Sequence, residues 1–83
     1  MMCLADFTPG ARGVVLAVTD DHAGDPIARR LRDLGFVAGE PIRLVARGPL
    51  GGEPLLVQIG HTRFALRANE ARRVRVEAQA GPR

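Results

Sequence analysis

Residues able to do chemistry are few in this chain, and most of them sit in one short stretch. Asp20, Asp21, His22 and Asp25 place three carboxylates and an imidazole within six positions, with His61 and Cys3 far away in sequence. Hard oxygen ligands beside an imidazole could hold a divalent metal. No pair among them, however, has the close spacing of a Cys-x-x-Cys or His-x-x-x-His site. The simpler reading is a solvated loop in which Asp25 caps a helix. The remaining metal reading is a weak surface site through His22 or His61, with Asp21, so no cofactor is expected to be required. A nucleophile is also hard to find. The sequence contains no Ser, and Cys3 stands near the terminus without a neighbouring base. Gly48–Gly52 lacks the Lys that a phosphate-binding loop needs, because the chain has no Lys at all. Enzyme chemistry is therefore not expected.

The elements around these residues are short. With 83 residues the chain forms one small domain, able to bury about 60% of its unfolded surface. Thr8-Pro9-Gly10-Ala11 has the order of a type II turn. Val14, Leu16 and Val18 then alternate with Val15 and Ala17, a strand expected to be buried on much of both sides. Asp25-Pro26 starts a helix over about 25–34, with Ile27, Leu31 and Leu34 as its apolar stripe. Gly35 is the expected left-handed residue after it, and Phe36 folds back onto Leu31. Val37-Ala38-Gly39-Glu40 resembles the turn at Gly10, though four residues do not make a repeat, and Gly10, Leu31, Leu34, Gly35, Phe36 and Gly39 all read as structural.

The second half alternates at period two. Ile42, Leu44 and Ala46 form one face, a Gly48-Pro49-Leu50-Gly51-Gly52-Glu53 hairpin loop follows, and Leu55, Val57 and Ile59 continue beyond it. Gly60-His61 fits a two-residue turn before Thr62, Phe64 and Leu66. One helical turn at 69–72 and a brief strand at 74–76 close the domain at residue 77, with 78–83 expected as a disordered tail. About five strands and one inserted helix predict a mainly β chain, folded as a small partly open barrel.

All twelve basic residues are Arg, and the net charge is +3. Arg43, Arg47, Arg63, Arg67, Arg73 and Arg75 are expected on one outer face. A basic face admits a nucleic acid, but single-strand binders add exposed stacking aromatics, and this chain has no Trp or Tyr. The same lack argues against docking of Pro-rich peptides. A protein partner is the better reading. Pro49, Leu50 and Gly51 put an apolar side chain on a loop tip, where it either folds back over the open barrel end or meets a partner. Arg47 flanks it, and Arg29 and Arg30 lie on the polar face of the helix. No apolar run approaches the length of a membrane span. A lone Cys suits a reducing cytoplasm.

Taken together, the pieces resemble a known family. They are Leu4-x-x-Phe7-x-Pro9-Gly10, Arg30-Leu31-x-x-Leu34-Gly35-Phe36-x-x-Gly39, Gly48-Pro49-Leu50-Gly51-Gly52-Glu53-Pro54, Ala65-Leu66-Arg67-x-x-Glu70-Ala71 and Val74-x-Val76. In that order and spacing they are similar to the ferrous iron transport protein A family, FeoA. The chain departs from the family pattern by an extra glycine in Gly51-Gly52. The resemblance implies an SH3-like barrel in the cytoplasm that binds a FeoB-type ferrous iron transporter, which has a G domain, and modulates iron(II) uptake. It implies contact with the membrane only through that transporter, and no nucleic acid. The alternatives are a small basic barrel that binds nucleic acid and a module that binds or senses a transition metal.

Overall fold

Two extra residues, one in each of two neighbouring strands, decide which side chains of this fold face inward. The computed structural model describes residues 2–79. In chain order they form β1 (Met2–Cys3), a 3₁₀ turn (Leu4–Asp6), β2 (Arg12–Val18) and α1 (Pro26–Asp33). Then follow β3 (Pro41–Gly48), β4 (Gly52–Ile59), β5 (Thr62–Leu66), α2 (Ala68–Ala71) and β6 (Val74–Ala78). The strands make one antiparallel sheet in the order β1-β6-β2-β3-β4-β5. Its edges, β1 and β5, do not pair with each other, so the barrel is open as anticipated.

Six strands form, not five. Met2 and Cys3 pair with Val76 and Arg75, so the start of the chain is tied into the sheet. Cys3 is buried there, and its backbone N–H donates to Asp6 Oδ2 at 3.0 Å. A two-residue strand has no periodicity from which to be read.

The alternation expected for β2 is corrected by a bulge. Val15 pairs with Val76, but the next partners are Ala17 with Arg75 and Val18 with Val74. Leu16 is the extra residue, and it reverses the parity of everything after it. Val15 and Val18 therefore both point into the core, while Leu16 is 40% exposed. A second shift lies in β3 between Leu44 and Ala46. The inward face runs Ile42, Leu44 and then Arg47, and Ala46 is exposed.

Helix α1 begins and ends on its own side-chain and backbone chemistry. Asp25 Oδ1 accepts the Ile27 N–H at 3.0 Å, with Pro26 in the first turn. At the other end the Gly35 N–H donates to Arg32 O at 3.0 Å and the Phe36 N–H to Leu31 O at 3.1 Å. This is the double closure of a Schellman motif, and Gly35 holds φ +112 to make it. The helix packs on Ala28 and Leu31. Leu34, read as core, lies about a quarter-turn away from that line and is 39% exposed.

Phe36 is fully buried among Leu4, Ile42, Leu44, Leu55, Val57 and Val76, and its ring meets Phe64 at 5.4 Å. Gly10 and Gly39 sit at the third positions of the two matching turns, closed by Ala11 N–H to Thr8 O and Glu40 N–H to Val37 O. Strand β6 continues past the expected boundary at 77 to Ala78, and the Gln79 N–H donates to Arg12 O at 2.9 Å. The rest of the expected tail, 80–83, lies outside the described residues.

A Cβ added at Gly35 would meet nothing within 4 Å, so only backbone strain opposes it. Gly35→Ala is expected to cost about 1–2 kcal/mol, the penalty of a left-handed backbone for an L-residue. A urea melt should show a lower midpoint with unchanged slope; an unchanged midpoint would contradict the cap.

Candidate interaction surface

The tip of the β3–β4 hairpin is exposed. Leu50 and Glu53 face each other across it, joined by the Glu53 N–H to Leu50 O bond at 3.2 Å. Gly51 and Gly52 between them hold φ +67 and +88, the two positive values of a type I′ turn. The extra glycine thus gives the tip a tight, twisted turn. At its base the Glu53 carboxylate accepts the Ala68 N–H, which ties the hairpin to α2. Leu50 is left 80% exposed, with Pro49 and Gly51 exposed beside it. It does not fold back over the barrel end.

Arg47 has a different task from the one expected. The β3 bulge turns it inward, and its Nη2 donates to Ala5 O at 2.6 Å and Phe7 O at 2.9 Å. It pins the 3₁₀ turn to the hairpin and so supports the loop from beneath.

Strand β5 is a sheet edge, and two grooves run along it. One, of about 340 Å³, separates it from α1 and is lined by Ile27, Arg30, Leu34, Phe64 and Leu66. The other, of about 400 Å³, leads to Leu50 past Pro54, Ala65 and Arg67. Ala65, Leu66 and Glu70 belong to both, so the hairpin tip and the helix face are connected. Sequence reasoning placed Leu50 and the Arg29–Arg30 face on separate surfaces and missed the strand between them. Arg29 and Arg30 are exposed, with Arg30 at the groove's rim.

The carboxylates first considered for metal binding pair with arginines of the fold. Asp25 is buried; its Oδ2 accepts Arg73 Nε at 2.6 Å and the Asp21 N–H at 2.9 Å. Asp21 meets Arg73 Nη2 at 3.2 Å, and Asp20 meets Arg32 Nη2 at 2.6 Å. His22 Nε2 stands 3.9 Å from Asp25 Oδ1. His61 is on the exposed β4–β5 turn, the two-residue connection that was expected. Among the described residues, no three His, Cys, Asp or Glu side chains come together as a metal site would require.

Arg73 is buried, so the expected outer row of six arginines is broken. The Asp21 amide, then the Arg73 guanidinium, holds the Asp25 carboxyl well below the usual carboxylate range. The Cys3 amide likewise lowers Asp6, while Asp25 pushes Arg73 up. Each charged form is therefore favoured by the fold.

An open antiparallel barrel of six strands with an exposed apolar edge defines a small SH3-like domain. The FeoA domain profile matches residues 2–78, and the chain belongs to that family. Its structure superposes on FeoA from Stenotrophomonas maltophilia with TM-score 0.86 at 60% identity, over 93% of this chain and 91% of that one. That protein was crystallised with zinc and described as a prokaryotic SH3 domain protein and candidate ferrous iron transport activating factor. FeoA from Chlorobium tepidum superposes with TM-score 0.79 at 34% identity, over 99% of this chain and 74% of that one. A manganese-dependent transcriptional repressor shares the fold alone, with TM-score 0.78 at 22% identity over 93% of this chain and 36% of that one. No curated protein matches the chain. No helix among the described residues is long and apolar enough to cross a membrane.

Asp25 has a folded-state pKa below its ordinary 3.8. Its contribution to stability is thus whole above that value and is lost as pH falls beneath it. Thermal melts should show Asp25→Asn lowering Tm by about 10 °C or more near neutral pH, as expected when a buried ion pair loses one partner. The variant should also show a shallower fall below pH 4. Equal acid limbs in the two proteins would contradict this.

Proposed function

We propose that this protein docks on the cytoplasmic region of a FeoB-type ferrous iron transporter and modulates iron(II) uptake by protein–protein contact. The observation that carries this reading is Leu50, 80% exposed at the tip of a tied-down hairpin and continuous with an apolar sheet edge. An exposed large apolar side chain on a rigid support is a contact in search of a partner. Leu34 and Ile27 extend the surface, Arg30 lies at its rim and Arg29 is exposed on the same helix, and the two would meet acidic groups. Membership of a family associated with ferrous iron transport supports the choice of partner.

Such a module works without chemistry of its own. It shifts the transporter between conformations only through a difference in affinity for them. The reading places the protein in the cytoplasm, at the membrane solely through its partner. It requires no cofactor, and a weak transition-metal contact at His22 or His61 would be incidental. Nucleic acid is not its ligand, since Phe7 and Phe36 are buried and Phe64 is half-buried, leaving no exposed aromatic platform for bases.

Leu50→Asp and Arg30→Glu change exposed side chains and should leave Tm within a few degrees of the parent. Binding to the immobilised cytoplasmic region of the transporter should weaken at least about tenfold in the double variant, and iron(II) uptake should change with it. Unchanged binding and uptake in a folded double variant would overturn the proposal.

A further inference from the structure

The outer face of the sheet carries a feature that the β5 edge does not explain. The pairing register places Arg12 on β2 opposite Arg43 on β3, Arg43 opposite Gln58 on β4, and Gln58 opposite Arg63 on β5. Directly opposed residues share a face, and neighbouring strands lie about 4.8 Å apart. Three arginines therefore stand in a row about 15 Å long, across the strands. Like charges opposed in this way, as at Arg12 and Arg43, repel.

Among the described residues no ion pair relieves that repulsion: the arginine–carboxylate pairs use Arg32 and Arg73, and none reaches this row. Arg43 Nε is shielded from solvent and has no hydrogen-bond partner. Arg63 Nε donates to Gln58 Oε1 at 3.1 Å, and Gln58 Nε2 donates to Gly60 O at 3.0 Å. This chain of contacts holds the Arg63 fork in place, and its two terminal nitrogens form no ion pair among the described residues. Glu40 borders the shallow depression that Arg12, Arg43 and Gln58 line.

The next outward-facing row along the strands is apolar. Ala46 pairs with Leu56, and Leu56 with Ala65. A cationic row and an apolar row thus run side by side.

We propose that this face is a docking site for an acidic, partly apolar protein segment. Its carboxylates would sit on Arg12, Arg43 and Arg63, and its apolar side chains on the Ala46–Leu56–Ala65 row. Oriented guanidinium forks suit carboxylates, which they bind in bidentate fashion. The apolar row disfavours a nucleic acid, whose backbone is followed by a longer basic groove and whose bases stack on exposed aromatic side chains. A bilayer is held poorly by three charges that have no second anchoring signal beside them. The proposal stands whether or not the β5 edge meets a transporter.

The test is a titration of the full chain at low salt with a labelled synthetic peptide rich in Glu, Asp and Leu. Phosphatidylserine vesicles and single-stranded RNA serve as the competing ligands. The peptide should bind, weaken with added salt, and lose at least about tenfold in affinity to Arg12→Gln/Arg63→Gln but not to Leu50→Asp. Amide shifts in the folded parent protein should cluster at Arg12, Arg43, Gln58, Arg63 and Leu56. Failure of the peptide to bind, shifts clustered elsewhere, equal affinity in the double variant, or tighter binding to vesicles or RNA would each overturn the proposal.

Discussion

One buried contact sets the geometry on which the rest of this small domain depends. Asp25, at the start of α1, and Arg73, at the start of the last strand, are 48 positions apart and meet at 2.6 Å with almost no exposure to water. Neither group has an idle oxygen or nitrogen edge. Asp25 also accepts amides from Asp21 and Ile27, and Arg73 reaches Asn69 O and the Asp21 carboxylate. A buried pair of this kind need not add much net stability, because desolvation opposes the attraction. What it does fix is position. The helix docks on the sheet with Ala28 and Leu31 inward and Leu34 left beside the β5 edge.

The same contact draws on the neighbouring carboxylates of the loop. Asp21 and Asp25 turn towards Arg73, and Asp20 turns towards Arg32. The acidic residues act as counter-charges for the arginines of the fold. The positive charge left over lies elsewhere, on the helix face and on the outer strands. Arginines in this chain therefore divide into those that hold the structure, such as Arg47, Arg32 and Arg73, and those that remain free to meet something else.

That division was not legible in the sequence. Local chemistry was: the Asp25-Pro26 cap, the Gly35 closure, the Gly60 turn and the Leu50 tip all follow from residue types within a few positions of each other. Bulges at Leu16 and Val45 were not, because an alternating pattern gives no sign of where a strand takes up an extra residue. The shift in β3 is what turned Arg47 from an expected partner contact into a support for the 3₁₀ turn. Partnerships between distant residues, Asp25 with Arg73 above all, leave no trace in local periodicity. Likewise Leu50 stood out by its neighbours, whereas the β5 edge that joins it to Leu34 became visible only from the strand order.

An SH3-like barrel is shared by proteins of different function, including the metal-dependent repressor that this chain superposes on, so the fold alone does not assign a role. The account rests on the edge: a strand paired on one side only among the described residues, two grooves and an exposed leucine, beside a helix tied to the sheet through Asp25 and Arg73. Hydrogen–deuterium exchange of the full chain, with and without the cytoplasmic region of the transporter, examines that edge directly. Slower exchange across Thr62–Leu66 and the Leu50 tip on complex formation is the predicted result. A complex that forms while those amides exchange as fast as before would contradict it.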